Sequence, residues 1–212
     1  MSQKSVCGES TDLNSSEETK HVNESLLKKL NDIFLMILEH NKTSNEYEEK
    51  LLSQKNMSFS SNHIPKISIK NYLKRILNYT EVEESTLIIA LIYIDRLNQL
   101  SKVILTPYNI HRLIFIAIFI AIKYNEDITF NFDYYAQVSG MSIKELQLIE
   151  IEFIYLIKFR LYIDKEQYDS YLNVLGGLDF NGFNSIEQAN YRAKCERVNQ
   201  AIQEAGRWID NK

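Results

Sequence analysis

The most restrictive feature of this chain is a run of ten consecutive apolar residues, Leu113 to Ile122, reading LIFIAIFIAI. A membrane-spanning helix needs about 20 such residues, so the run is too short to cross a bilayer. A helix that is apolar on every side has no face to offer water and has to be enclosed by other elements. The run therefore predicts a buried central helix with neighbours packed around it. Only 6 Gly and 2 Pro occur in 212 residues, and so few breakers favour long helices over a turn-rich β fold. Hydrophobic residues make up 45%, enough for a globular chain with a core.

Periodicity and caps place the neighbours. Residues 1–23, rich in Ser, Glu, Thr and Asn, read as a disordered tail. Leu26, Leu27, Leu30, Ile33, Phe34, Ile37 and Leu38 then recur at helical spacing. Residues 24–62 are accordingly an N-terminal helix and a polar linker, with a helical fragment around Tyr47 to Leu52. Ser68 is placed to cap a helix carrying Ile69, Tyr72, Leu73, Ile76 and Leu77 on one face. A second helix starts near Glu83, with Leu87, Ala90, Leu91, Ile94 and Leu97 inward. The third contains the apolar run and begins at Thr106, with Pro107 at its first helical position. A short fourth spans Phe132 to Val138 and stops at Gly140. The fifth opens on a capping box, Ser142 with Glu145, and runs through Leu146, Ile149, Phe153 and Leu156. These make about five helices within residues 63–163, joined by short loops: an all-α unit. Residues 164–212 hold two more. One starts at Asp164, with Gln167 closing a second capping box and Gly176-Gly177 as its stop; the other runs from about Ser185 to Ile209.

Several functions are disfavoured by what the sequence contains. A formal net charge of -4 and a pI near 5.7 set a poor field for phosphates, so no nucleic-acid partner is expected. Two cysteines, Cys7 and Cys195, make no disulfide framework, and a reducing, intracellular compartment (cytoplasm or nucleus) is the simpler setting. The N-terminus lacks an apolar stretch, so no signal peptide is expected, and neither is a membrane partner. There is no Gly-rich phosphate loop, Cys-x-x-Cys, His-Glu-x-x-His or nucleophile elbow, and the four histidines lack ligand spacing. The chain is read as a non-enzyme with no metal, cofactor or small-molecule substrate.

The blocks PKISIKNYLKRILNYT, LIYIDRL, LTPYNIHRL, AIKYNED, YYAQVSGMSIKELQLIEIEF and KFRLYI, in that order with short spacers, resemble the cyclin box. More narrowly they are similar to the P/U-type cyclins, over about Pro65 to Ile163. The resemblance implies a single cyclin box, five helices around the third, with extra N- and C-terminal helices. It also implies a partner, the catalytic subunit of a cyclin-dependent protein kinase, whose mobile helix enters the groove between the third and fifth helices. The alternative is a cyclin-fold adaptor in transcription that binds DNA or general transcription factors. That reading would call for a basic face and a second box.

By motif matching, Lys123 in AIKYNED stands where the family's lysine reaches carbonyls of the kinase. Glu150, nine residues before Phe159, stands where the family's glutamate acts with that lysine. The same matching assigns Tyr124, Ile154, Phe159 and Leu161 as apolar partners. Read from the residues alone, a lysine placed like Lys123 more often pairs with helix-end carbonyls and a glutamate placed like Glu150 is more often a solvated surface acid, while Phe159 and Leu161 are equally core. Glu152 points elsewhere. Asp95, inside an apolar helix, calls for an internal hydrogen bond or ion pair. His111 and Arg112 read as an exposed or internally bonded pair, and Tyr134-Tyr135 as packing with one ring inward. Mitotic cyclins carry Met-Arg-Ala-Ile-Leu where this chain has Pro65-Lys66-Ile67-Ser68-Ile69, so their substrate-recruiting patch is not expected here. The chain after Ile163 is too short for a complete second box.

Overall fold

The central helix is enclosed as its composition demands. A computed structural model describes residues 24–177, and among them every regular element is helical: α1 (Glu24–Lys42), α2 (Tyr47–Ser53), α3 (Ile69–Thr80), α4 (Glu84–Ser101), α5 (Ile110–Asn125), α6 (Phe132–Ser139), α7 (Ile143–Leu156) and α8 (Lys165–Gly177). The tail, both cysteines and the helix expected from Ser185 lie outside the described residues. From Ile110 to Ile122, every residue of α5 except Arg112 is buried. Helices α3, α4, α6 and α7 pack against it, α8 against α4, and α1 against α3.

Local chemistry sets most boundaries. Ser68 caps α3 by accepting the Asn71 N–H, and Asn131 caps α6 by accepting the Tyr134 N–H. Gly140 ends α6 in the left-handed region at φ 75°, its N–H turned back to Ala136 and Gln137. Ser142 and Glu145 form the expected capping box. The serine N–H and hydroxyl, together with Arg112, hold the Glu145 carboxyl below its usual range. Tyr135 points inward and Tyr134 spans to the Tyr79 carbonyl at 2.7 Å.

Two expectations are corrected. Pro107 is not the first residue of α5. The helix begins at Ile110, because the buried Asn109 folds residues 106–109 into a turn, accepting the Thr106 N–H and donating to the Ile104 carbonyl. At α8, Asp164 accepts the Gln167 N–H as a cap, but the Gln167 side chain does not return the bond. Its Oε1 instead accepts from Arg96 on α4 at 2.6 Å.

The polar stretch before α3 is fastened down rather than loose. Phe59 is fully buried, Gln54 meets Asn109, and the Asn41 amide donates to the Leu105 carbonyl. Lys29 on α1 donates to the Leu175 carbonyl at 2.8 Å, tying the first helix to the last described one. None of these helices is long and apolar enough to cross a membrane.

Candidate functional site

Lys123 is the residue at which the apolar run ends, in the last turn of α5. Its ammonium does not settle on the helix-end carbonyls. It reaches α7, where Nζ donates to Glu150 Oε1 at 2.5 Å and stands 5.2 Å from the Phe119 ring centroid. The lysine side chain is 47% exposed and the glutamate 14%, so the cation faces solvent over a mostly covered anion. Glu150 takes this place because Leu146, Ile149 and Phe153 form the buried seam of α7. A residue one past Ile149 lies about 100° round the helix, at the edge of that seam.

Glu152 lies about 200° further round than Glu150 and has a different task. Its Oε2 accepts the Ser58 N–H at 2.7 Å. Arg112 donates to the Ser58 carbonyl and to Glu145 Oε1, so residue 58 is pinned between α5 and α7. Two glutamates of one helix are thus divided between an open edge and a structural contact.

The remaining candidates cluster around the end of α7. The Phe159 N–H donates to the Ile154 carbonyl at 3.0 Å, and the Leu161 N–H to the Phe159 carbonyl at 3.0 Å. Lys158 and Phe159 both lie in the left-handed region, and the turn leaves Phe159 70% exposed. Ile154 and Leu161 are half-buried against the core, while Tyr124, next to Lys123, is 51% exposed. Beneath them Tyr93 donates its hydroxyl to the Leu161 carbonyl at 2.8 Å, and burial pushes its pKa up to about 12.

The structure adds residues that motif matching did not supply. Leu148, Ile151 and Tyr155 form an exposed apolar stripe on α7, and Tyr162 follows, also exposed. The signal was present, since α7 carries more apolar residues than one inward seam can bury. Exposed apolar surface of this kind marks interaction sites.

The other charged and polar side chains singled out earlier have internal duties. Asp95 accepts hydrogen bonds from Tyr171 Oη at 2.6 Å and from Gln99. Burial pushes its carboxyl up to about 7, opposed by Tyr171, the Arg96 charge and Gln99. His111 Nε2 meets the Ile67 carbonyl at 2.9 Å, its ring edge-on to Tyr72, and burial lowers its pKa. Among the described residues no three or more His, Cys, Asp or Glu side chains group as metal ligands.

Matched against known protein families, residues 10–161 fit the family described as Cyclin. Cyclin-U2-1 of Arabidopsis thaliana is 34% identical over 150 residues, 69% of this chain and 67% of that protein. Cyclin-U4-1 of Arabidopsis thaliana is 30% identical over 156 residues, 72% of this chain and 77% of that protein. Cyclin-P3-1 of Oryza sativa subsp. japonica is 36% identical over 113 residues, 53% of this chain and 48% of that protein. The chain thus spans two thirds or more of the first two and about half of the third.

Proposed function

The chain belongs to the cyclin family, as a cyclin of the P/U type, and on that premise we propose that it binds and activates a cyclin-dependent Ser/Thr protein kinase through the edge where α5 meets α7. A cyclin-type regulatory role follows from the family. The finer reading draws its main support from the Lys123–Glu150 pair, the two charges that motif matching assigned to kinase contact, joined to each other beside exposed apolar residues.

The pair suits such a task. An ammonium has three donors, and Glu150 occupies one. The others face solvent and can reach carbonyls at the end of a docked helix, while Glu150 holds the ammonium in register. Charges of this kind contribute specificity more surely than affinity. Affinity comes from the apolar partners Tyr124, Ile154, Phe159 and Leu161, over which the kinase's mobile helix would lie. Docking would rotate that helix inward and complete the kinase's own Lys–Glu pair, which positions the ATP phosphates. The chain adds no catalytic group. It binds the active arrangement of the kinase better than the inactive one and so shifts the population.

The direct test is to purify the tagged full-length chain from its native cells and identify what accompanies it. A kinase of the cyclin-dependent class should co-purify, and its activity on a Ser/Thr substrate should rise when purified chain is added. Absence of any such kinase, or no activation by the purified chain, overturns the proposal.

A further inference from the structure

The turn after α7 is not held by its own residues alone. Lys158 and Phe159 have φ of 55° and 57°. That region crowds the Cβ of an L-residue, so two successive non-glycine residues there persist only where surrounding structure holds them. Within the turn, N–H groups of Lys158, Phe159 and Arg160 donate back to Tyr155, Ile154 and Ile157.

The next two carbonyls are gripped from α4. Arg96 Nη1 donates to the Arg160 carbonyl at 2.6 Å, and Tyr93 Oη to the Leu161 carbonyl at 2.8 Å. Tyr93 and Arg96 are three apart on α4 and so share a face. Both are buried, beneath the exposed surface rather than part of it. The second arm of Arg96, Nη2, donates to Gln167 Oε1 on α8 at 2.6 Å. No ion pair to Arg96 forms among the described residues, so a buried guanidinium is spent on two neutral acceptors. Burying a charge without a direct ion pair is costly, since Asp95 and Asp164 act on it only at a distance, and an apolar side chain would fill the space more cheaply.

We infer that Tyr93 and Arg96 are positioning residues, a clamp from α4 that holds the Arg160 and Leu161 carbonyls so that Phe159 is presented to a partner in a preset turn, with Gln167 coupling the same clamp to α8. The purpose of the turn rests on the kinase-docking reading above; the clamp itself does not. Its benefit is that a surface ordered in advance loses less freedom on binding.

Tyr93→Phe removes one hydroxyl and tests the clamp with little risk to folding; Arg96→Met removes both arms and keeps the apolar stem. Lys158→Gly relieves the left-handed conformation, which glycine adopts freely. Amide hydrogen exchange on the full chain reads the turn without any partner. Affinity for the kinase that co-purifies with the wild-type chain reads its use. In Tyr93→Phe, exchange at residues 159–161 should rise about tenfold while α5 amides stay unchanged. Kinase affinity should fall about tenfold, and adding Lys158→Gly should restore most of both. Unchanged exchange at 159–161, a rise shared equally by α5, failure of the glycine rescue, or a loosened turn with undiminished affinity would each overturn the inference. A wild-type chain that recruits no kinase would instead overturn the docking reading, and the exchange measurements would still decide the clamp.

Discussion

Lys123 and Glu150, 27 residues apart in the chain, meet at 2.5 Å where the central helix emerges from the core. The pair links α5 to α7 with a half-exposed cation over a mostly covered anion, and a pair screened by solvent on one side contributes about 1 kcal/mol to folding. The Lys123→Ala, Glu150→Ala double variant should therefore melt close to the wild type with unchanged helical content. Its affinity for the kinase should drop about a hundredfold or more, as expected when charges that become desolvated on binding are removed. Full activation of the kinase by this variant would refute the site.

Glu152 should behave in the opposite way. Removing its carboxylate leaves the partly buried Ser58 N–H without its acceptor, a loss of about 1–3 kcal/mol. Glu152→Ala should lower stability by that order in urea titrations while the folded fraction binds kinase as the wild type does. Unchanged stability together with lost binding would move Glu152 into the docking surface.

Asp95 should make stability depend on pH. Its carboxyl titrates near 7 when folded and at the ordinary 3.8 when unfolded, because burial between α4 and α8 disfavours the charge. The folded state thus holds the proton more tightly. This contribution is full below the unfolded value and is lost as pH rises through about 7. The stability of the wild type relative to Asp95→Asn should fall by about 2 kcal/mol between about pH 5.5 and 8.5. His111, whose pKa is lowered by burial, acts in the opposite sense below its unfolded value and cancels in the difference. A difference that does not vary with pH would show that Asp95 is not raised.

Gly140 is required for its backbone rather than for space. A Cβ there would meet nothing within 4 Å, yet φ is 75°. Gly140→Ala should cost about 1–2 kcal/mol through the left-handed conformation alone, measured by denaturant unfolding. A neutral alanine would mean that the α6–α7 turn relaxes to another conformation.

The helices were legible because their determinants are local. The Ser68 cap, the Ser142–Glu145 box and the Gly140 stop each act within about one turn of chain, the apolar run of α5 within about three, and each is found where spacing places it. The candidate site was read differently. Lys123 and Glu150 were selected by the blocks around them, since a lysine ending a buried helix and a glutamate on an amphipathic one have commoner uses. Nothing local shows that Glu152 is tied to Ser58, or that Phe159 stands out while Leu161 tucks in.

By itself, then, the sequence determined an all-helical chain wrapped around one apolar helix, where most of its helices start and stop, and which blocks relate it to a family. Only the tertiary structure decided that Glu152 holds Ser58, that Lys123 turns from the helix-end carbonyls to Glu150, and that Gln167 serves Arg96 rather than its own helix cap. It also decided that the turn bearing Phe159 is gripped from α4. The physical reason is range. Helical period and capping are contests among residues a few positions apart, whereas these partners lie up to 94 positions apart and meet only once the helices have packed.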